Sequence, residues 1–347
     1  MRSRERIRSP AGYVADGGLR GATDSLRVLN HERDNDLQAS RQRRRRWHHV
    51  CASHICADAP DPDAYGSESP VSTSLTRQTV QVDGRTISYV RAGDPSNSTL
   101  LLLHGIGGNA SQFVGQLAEF GGAWDVIAWD APGYGDSDDP GDDWQMEEWS
   151  DALDGFVSAL GLQQVVLLGQ SWGGVLAQVS VARHPQWMRA LVLSDASMGG
   201  GSQPVAEAEA TLAERLRVLD EMTPSEMART RTPAVLGPNP SPDVLAAVEQ
   251  MMSEIRPVGY QRAAIALAAA DTRPAHVHIA VPTLVICGVY DRIVPLSTAH
   301  ALRAAIAGAQ LVELPEAGHL GSQEDPQRYN AALRDFLSTV DAVADTA

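Results

Sequence analysis

The architecture of this chain follows from ten residues near its middle, Val165-Val166-Leu167-Leu168-Gly169-Gln170-Ser171-Trp172-Gly173-Gly174. The first four are apolar and predict a buried strand, and the residues from Trp172 onward have the spacing of a helix. A side chain at Gly169 or Gly173 would collide in the tight turn between these two elements. The turn therefore predicts a strained backbone at Ser171. Its hydroxyl should stand clear of the strand at the N-terminus of a helix, where negative charge is favoured.

Further apolar or alternating segments predict strands on either side of this stretch, and segments of helical periodicity lie between most of them. Short apolar strands separated by helices of about 10–15 residues are typical of a mostly parallel sheet that is covered on both faces. We therefore predict an α/β fold with an eight-stranded, mostly parallel sheet, helices on both of its faces and a helical cap. The predicted strands are Thr79–Val82, Thr86–Arg91, Thr99–Leu103, Asp125–Trp129, Val165–Leu168, Ala190–Leu193, Leu284–Cys287 and Gln310–Leu314.

The chain divides into segments of different composition. Residues 1–70 combine Arg-rich, Asp-rich and Ser/Pro-rich patches without a regular apolar period. We expect a disordered extension there, or a mis-assigned start with Val71 as an alternative first residue. Residues 71–198 and 279–347 carry the strand pattern and are expected to form the core. Residues 199–278 contain only helix-like segments and several prolines, and such an insertion between two strands predicts a helical cap over a ligand site.

Composition and charge exclude several classes of protein. Apolar residues make up 43% and charged residues 20% of the chain, as in globular proteins, and no apolar run approaches the roughly 18 residues of a membrane span. Residues 51–347 contain 16 arginines and 37 acidic residues. Because this acidic body repels nucleic acid and anionic membranes, the expected partner is a small molecule or another protein. Three cysteines are too few for a disulfide framework, which indicates a reducing compartment, and we predict the cytoplasm.

The sequence gives no reason to expect a cofactor or a metal. It has neither a dinucleotide-binding fingerprint nor a phosphate-cradling Gly-Lys-Ser/Thr motif. One patch has the composition of a metal site and contains His48, His49, Cys51, His54 and Cys56. Zinc sites usually combine two close pairs of ligands across a folded loop, and here the second pair is missing. We therefore predict that no metal is bound.

Three loops that follow predicted strands supply a nucleophile, a base and an acid. Ser171 lies in a Gly-x-Ser-x-Gly turn, which is typical of a nucleophilic serine. A serine hydroxyl is a weak nucleophile unless a histidine removes its proton and an acid orients that histidine. Asp291 and His319 follow the last two predicted strands, and the order Ser, Asp, His is the one found with this turn. We predict these three residues as catalytic, with Asp195, which also follows a strand, as the alternative acid.

Acyl transfer also needs backbone N–H groups that stabilise an oxyanion. One is the amide of Trp172, directly after the serine, and the other is expected in the loop after the third strand. The glycines Gly105 and Gly107 let the Ile106 amide turn towards the site, and we predict both glycines at the substrate. His104, in the same loop, is expected to brace the turn by hydrogen bonding rather than to take part in chemistry.

With these blocks in their order, the sequence resembles the α/β-hydrolase fold family from about Thr76 to the C-terminus. The residues that carry the resemblance are Leu103-His104-Gly105-Ile106-Gly107-Gly108, Asp130-Ala131-Pro132-Gly133-Tyr134-Gly135-Asp136-Ser137, Gly169-Gln170-Ser171-Trp172-Gly173-Gly174, Asp291-Arg292-Ile293-Val294-Pro295 and Gly318-His319. Within that family the chain is similar to capped esterases, enol-lactonases and hydrolases that cleave carbon–carbon bonds of ring-fission products. The resemblance implies a serine hydrolase that cleaves a carboxylic ester or lactone through an acyl-enzyme intermediate, without a cofactor or metal.

Two other functions stay open within this resemblance. Hydrolases that cleave the carbon–carbon bond of ring-fission diketones usually have a tryptophan after the histidine, where this chain has Leu320. Some members of the family are non-catalytic small-molecule receptors, and the complete Ser–Asp–His order favours an enzyme over a receptor. Haloalkane dehalogenases and epoxide hydrolases have an aspartate at the position of Ser171, which argues against both of these activities.

The predicted cap contains seven arginines, and four of them, Arg229, Arg231, Arg256 and Arg262, are candidates to bind a substrate carboxylate. A guanidinium group is well suited to bind a substrate carboxylate in a bidentate manner. Helix faces in contact with solvent carry arginines as well, because the charged end of the side chain remains hydrated there. Both interpretations of these four residues stay open at the level of the sequence.

Overall fold

A computed structural model of the protein describes residues 76–344. The expected extension over residues 1–70 and the patch from His48 to Cys56 lie outside these residues. None of the helices in the described part of the chain has both the length and the apolar composition needed to cross a bilayer.

The strands are β1 (Arg77–Val82), β2 (Arg85–Ala92), β3 (Thr99–Leu103), β4 (Asp125–Trp129), β5 (Val165–Gln170), β6 (Met188–Ser194), β7 (Thr283–Gly288) and β8 (Gln310–Leu314). The α-helices are α1 (Val114–Phe120), α2 (Met146–Ala159), α3 (Trp172–Arg183), α4 (Val205–Glu221), α5 (Pro224–Val235), α6 (Pro242–Ser253), α7 (Pro257–Ala269), α8 (Leu296–Ala305), α9 (Gly321–Glu324) and α10 (Pro326–Ala344).

The eight strands form a sheet in the spatial order β1-β2-β4-β3-β5-β6-β7-β8. β1 pairs antiparallel with β2, and β2 pairs antiparallel with β4, whereas the other pairings are parallel. Parallel strands direct their carboxyl ends to one edge of the sheet, which is where ligands bind in open α/β folds. The structure confirms the predicted eight-stranded, mostly parallel sheet.

The central strands are apolar on both faces because helices cover both sides of the sheet. In β3, Leu101 and Leu103 contribute to one apolar core, whereas Leu100 and Leu102 contribute to the other. This division arises because successive side chains of a strand point to opposite faces. Side chains of α2, α3 and α8 complete the first core, and side chains of α1 and α10 complete the second.

The segment between β6 and β7 forms four α-helices, α4 to α7. Three of them begin at a proline, and proline is favoured in the first helical turn because that position needs no intrahelical N–H bond. Two of these three helices are also capped by a hydroxyl: Thr223 accepts from the Glu226 amide at α5, and Ser241 accepts from the Val244 amide at α6. Three of the segment's prolines, Pro224, Pro242 and Pro257, thus serve as helix starts, whereas Pro233 lies inside α5.

Candidate active site

Ser171 lies in the turn between β5 and α3. Its backbone has φ 54° and ψ −114°, a strained conformation for a residue with a side chain. The turn is tight because Gly173 has no side chain: a Cβ at this position would lie 2.5 Å from the carbonyl oxygen of Leu103. The Ser171 amide donates a hydrogen bond of 2.9 Å to the Ser194 carbonyl at the end of β6. Neighbouring strands therefore hold the strained residue in place, with its hydroxyl at the carboxyl edge of the sheet.

Two loops at the same edge bring Asp291 and His319 to the serine. Asp291 follows β7 and His319 follows β8, and these strands are neighbours in the sheet. His319 Nε2 is 2.9 Å from Ser171 Oγ, and His319 Nδ1 is 2.7 Å from Asp291 Oδ2. The Asp291 side chain is fully buried and the His319 side chain is 8% exposed, so solvent hardly competes for the contact between them. The three side chains form a continuous chain of hydrogen bonds.

The hydrogen bonds around Asp291 also fix the tautomer of His319. A carboxylate accepts hydrogen bonds and does not donate them, so the assigned tautomer of His319 carries its proton on Nδ1. Nε2 is then free to accept the hydroxyl proton of Ser171. The second oxygen of Asp291, Oδ1, accepts from the amides of Ile293 at 2.7 Å and Val294 at 2.9 Å. The carboxylate is held through both oxygens, and it orients the imidazole towards the serine.

Asp195, the alternative acid, lies at the end of β6 but does not contact the histidine. Its Oδ1 accepts from the Gly288 amide and its Oδ2 accepts from the Ser194 hydroxyl, both at 2.9 Å. Burial and, next, the negative charge of Asp291 raise the pKa of Asp195 well above its ordinary value. The side chain thus connects the ends of β6 and β7.

Of the predicted oxyanion donors, Ile106 lies in the loop after β3 and Trp172 lies directly after the serine. Trp172 is the first residue of α3, so its amide is one of the N–H groups that have no acceptor within the helix. The Ile106 amide donates to no other residue of the described part of the chain. Ile106, Gly105 and Gly107 line the cavity beside the serine, and a Cβ on Gly107 would lie 3.3 Å from Met252 Cε. Both amides are therefore available to an oxygen atom of a ligand.

His104 connects two loops and is fully buried. Its Nε2 accepts from the Ala131 amide at 3.1 Å, and its Nδ1 is 2.8 Å from the Gly105 carbonyl oxygen, to which it donates. Burial lowers the pKa of His104, which favours the neutral ring that this pair of contacts requires. Both ring nitrogens are occupied by backbone groups, so His104 has none left for a substrate.

A cavity that is partly open to solvent lies beside Ser171 and His319. Side chains of the α4–α7 segment form part of its wall, including the apolar Val235, Met251 and Met252. Two arginines, Arg215 of α4 and Arg231 of α5, supply its charged groups. Arg215 was not among the residues selected from the sequence.

The structure separates the four arginines that the sequence analysis considered. Arg256 and Arg262 form ion pairs with two aspartates of the loop that precedes α2, so they are already neutralised. Arg229 is exposed to solvent. Of the four, Arg231 lines the cavity beside the serine. A substrate carboxylate in this cavity therefore has Arg231, and not the other three, within its walls.

Two polar side chains that sequence analysis did not select hold the loop of His319. Glu324 accepts from the amides of Gly318 at 2.9 Å and Leu320 at 3.2 Å, directly on either side of the histidine. Gln170 Nε2 donates to the His319 carbonyl at 2.8 Å. Gln170 occupies a variable position of the Gly-x-Ser-x-Gly pattern, and the pattern specifies no residue type there. Glu324 belongs to no motif, and no feature of the sequence indicates its role.

Comparison with known proteins identifies the family. A family model described as the alpha/beta hydrolase fold matches residues 98–326. A 2-hydroxymuconate semialdehyde hydrolase of a Pseudomonas species is 31% identical over 264 residues, covering 71% of this chain and 88% of that protein. The 3-oxoadipate enol-lactonase 2 of Acinetobacter baylyi is 25% identical over 257 residues, covering 74% of this chain and 95% of that protein. Among solved structures, a thermophilic esterase of Thermogutta terrifontis, with malate bound, has a TM-score of 0.69 and 27% identity, covering 76% of this chain and 99% of the esterase. The chain belongs to the α/β hydrolase fold family.

Proposed function

We propose that the protein is a serine hydrolase that cleaves a carboxylic ester or a lactone through an acyl-enzyme intermediate. The observation that carries the proposal is the chain of hydrogen bonds Ser171–His319–Asp291 at the wall of a cavity. A fold by itself does not specify an activity, so the proposal rests on these side chains. The similarity to an enol-lactonase and an esterase supports the same class of reaction.

Acylation begins when Ser171 Oγ attacks the carbonyl carbon of the substrate. The hydroxyl proton passes to His319 Nε2, and Asp291 stabilises the imidazolium that results. The carbonyl oxygen becomes an oxyanion, which accepts hydrogen bonds from the amides of Ile106 and Trp172. When the tetrahedral intermediate collapses, the bond to the alkoxide oxygen breaks and His319 returns the proton to that oxygen. The products of this half-reaction are the acylated serine and an alcohol, which in a lactone remains attached to the acyl group.

Deacylation repeats these steps with water in place of the serine. His319 removes a proton from water, the resulting oxygen nucleophile attacks the acyl carbon, and the Ser171 oxygen leaves with the proton from His319. Gly105 and Gly107 leave room for the acyl group beside the oxyanion site. Every step uses side chains, backbone amides and water, so the proposed mechanism requires neither a cofactor nor a metal.

We assign the remaining parts of the chain accordingly. Of the residues that the structure describes, 76–198 and 279–344 form the hydrolase core, and residues 199–278 form a cap that sets substrate choice. The assignment of the cap is supported by Val235, Met251 and Met252, which contribute apolar side chains to the wall of the cavity. A reducing cytoplasm suits the thiol of Cys287, which is free and buried.

Labelling with a fluorophosphonate probe tests the proposed function. The probe reacts with a serine whose hydroxyl is activated by a histidine, so we expect one label on Ser171 and none on the Ser171→Ala variant. Mass spectrometry of the labelled peptide identifies the site. A non-catalytic receptor on the same fold would bind the probe without covalent labelling, and this outcome would reject the enzyme.

A second candidate is the hydrolysis of a carbon–carbon bond in a ring-fission diketone. It is favoured by the relative named 2-hydroxymuconate semialdehyde hydrolase, which is 31% identical to this chain. Leu320 favours the ester or lactone, because hydrolases of carbon–carbon bonds usually have a tryptophan at this position after the histidine. A comparison of turnover on a vinylogous diketone and on a simple aryl ester separates the two, because only a carbon–carbon hydrolase should favour the diketone.

A further inference from the structure

We propose that the substrate carries an ionised carboxylate in addition to its ester or lactone group, and that Arg215 and Arg231 bind this carboxylate. The inference rests on the proposed function of the site and specifies its class of substrate. It assigns a binding role to two residues on different helices. Neither arginine belongs to a sequence motif.

The two guanidinium groups occur together in the wall of the cavity that contains Ser171. Arg215 Nη1 donates a hydrogen bond of 3.3 Å to the hydroxyl of Tyr260, which is buried between the helices. Tyr260 also lies beside Arg231, whose pKa it raises, so the three side chains form one cluster. Within residues 76–344, neither arginine of this cluster forms an ion pair. No acidic residue lines this cavity, and Glu207 lines the adjoining pocket, which also contains Ser171 and Arg215.

This arrangement costs free energy as long as the cavity holds no anion. The Arg231 Nε is enclosed by protein and has no hydrogen-bond partner in the described part of the chain. Enclosure of a guanidinium N–H without a partner is unfavourable, and a second cation nearby adds repulsion. The pKa of Arg231 is lowered, as expected for a cation in such a place. Burial lowers it most, and the positive charge of Arg215 lowers it further, whereas Tyr260 raises it.

The lack of an acidic partner for Arg215 and Arg231 contrasts with the acidic composition of the chain. Residues 51–347 contain 37 acidic residues for 16 arginines, so acids are abundant in this chain. On the same helix as Arg215, Arg217 pairs with both Glu214 and Glu221. Arg217 thus pairs with acids of its own helix, whereas Arg215, two residues earlier, forms no ion pair within the described residues. A ligand with negative charge would provide the missing partner.

The geometry of a guanidinium group favours a carboxylate as this partner. The planar fork of an arginine donates two parallel hydrogen bonds to a carboxylate, and charge-assisted bonds of this kind are about twice as strong as neutral ones. The apolar wall formed by Val235, Met251 and Met252 suits a short hydrocarbon chain between the carboxylate and the carbonyl carbon. The substrate class that fits is a half-ester of a dicarboxylic acid or a lactone with a carboxylate side chain.

Matched pairs of substrates test the proposal directly. The first pair is 4-nitrophenyl hemiglutarate and 4-nitrophenyl glutaramate, which differ only in a terminal carboxylate or neutral amide on the acyl side. The second pair places the same difference on the alcohol side, with the acetate esters of 4-hydroxybenzoic acid and 4-hydroxybenzamide. We expect the charged member of one pair to have a kcat/KM about ten- to a hundredfold higher, as hydrogen bonds to charged groups would provide.

Variants of the arginines locate the origin of this preference. Arg231→Met keeps an apolar side chain of similar length and should reduce the preference to about one, mainly through a higher KM for the charged ester. Arg215→Met should have a similar but smaller effect, and Arg231→Lys should retain part of the preference. Arg229→Met is the matched control, since Arg229 lies on the same helix and is exposed. No preference in either pair, or a preference that survives both Met variants, overturns the proposal.

Binding measurements distinguish this proposal from the proposed function. Calorimetry with glutarate on the Ser171→Ala variant should detect binding that the added Arg231→Met substitution abolishes. If the fluorophosphonate fails to label Ser171 while glutarate binds through Arg231, the hydrolase is rejected and the anion site stands. If the label is found but glutarate does not bind and the charged esters have no advantage, the anion site is rejected and the hydrolase stands.

Discussion

Glu324 Oε2 accepts a hydrogen bond of 2.6 Å from the backbone amide of Gly237, which lies just after α5. The other oxygen of the same carboxyl group accepts from the two amides that flank His319. One side chain therefore connects the helical segment 199–278 to the loop that carries the proposed catalytic base. A second contact in the same place joins the His319 amide to the Val235 carbonyl at 2.8 Å. The position of His319 thus depends on the helical segment as well as on the sheet.

Glu324→Gln should reduce kcat by about ten- to a hundredfold, because a small displacement of a catalytic group is enough for a loss of this size. A glutamine has one acceptor oxygen, so its NH₂ group must face an amide donor and one N–H loses its partner. The loss of a buried hydrogen bond should also lower the free energy of unfolding by about 1–3 kcal/mol. Steady-state kinetics on an aryl ester and chemical denaturation measure the two effects.

The control for this variant is Glu316→Gln, which alters an exposed acid in the same loop. Its kcat and stability should match the wild type. The rate of fluorophosphonate labelling distinguishes positioning from stability alone, since it reports on the Ser171–His319 pair in the folded protein. A Glu324→Gln protein with a lower melting temperature but an unchanged labelling rate would show that Glu324 serves stability only.

Asp291→Asn should lower kcat on the order of ten-thousand-fold, as expected when the acid that orients a catalytic histidine is lost. The NH₂ group of asparagine would face Nδ1 and favour the tautomer with the proton on Nε2, which blocks proton transfer from Ser171. Asp195 should not compensate, because its oxygens are bound to the Gly288 amide and the Ser194 hydroxyl. Kinetics of Asp291→Asn and Asp195→Asn, measured side by side, assign the role. A nearly active Asp291→Asn with an inactive Asp195→Asn would transfer the role of the acid to Asp195.

A proline at position 106 tests the proposed oxyanion site, because proline has no backbone N–H. Ile106→Pro should lower kcat by about a hundred- to a thousandfold, the usual effect of one lost donor. Ile106→Ala is the matched control: it shortens the side chain, keeps the N–H and should change KM more than kcat. Circular dichroism and melting curves establish that both proteins are folded. Equal values of kcat for the two variants would exclude the Ile106 amide as a donor.

The fold was accessible from the sequence because its determinants are local. The helix predicted from Trp172 onward begins at the first residue of α3, and the predicted strand Thr99–Leu103 has the bounds of β3. In both cases a glycine-rich turn marks one end of the element. The remaining residues are mostly apolar, with a length and spacing typical of a buried helix or a buried strand. The loops of Ser171, Asp291 and His319 each follow a predicted strand, and parallel strands end on the same side of a sheet.

The charged residues of the site were less accessible because their environment depends on the packing of distant segments. Arg215 and Arg217 lie two residues apart on α4, yet the first lines the cavity and the second pairs with exposed glutamates. The helical period does not distinguish an arginine that faces solvent from one that faces a cavity, since both lie outside the apolar stripe of the helix. Arg256 was considered for a substrate, whereas it pairs with Asp139, 117 residues earlier in the chain. Pairing over such a distance has no signature in a single sequence.

Asp195→Asn should change how stability depends on pH. Burial and the negative charge of Asp291 raise the pKa of Asp195, so the folded protein keeps this proton to a higher pH than the unfolded chain does. The native state then binds more protons above the unfolded pKa of about 3.9, and the free energy of unfolding falls as the pH rises towards the folded pKa, by at most about 1.4 kcal/mol per pH unit. Asparagine keeps an acceptor for Gly288 and a donor for Ser194 but does not titrate, so denaturation curves from pH 4 to 8 should show a smaller decline for the variant. Asp335→Asn, which removes an exposed acid, should follow the wild-type curve. Parallel curves for wild type and Asp195→Asn would mean that Asp195 loses its proton at the same pH in the folded and unfolded states.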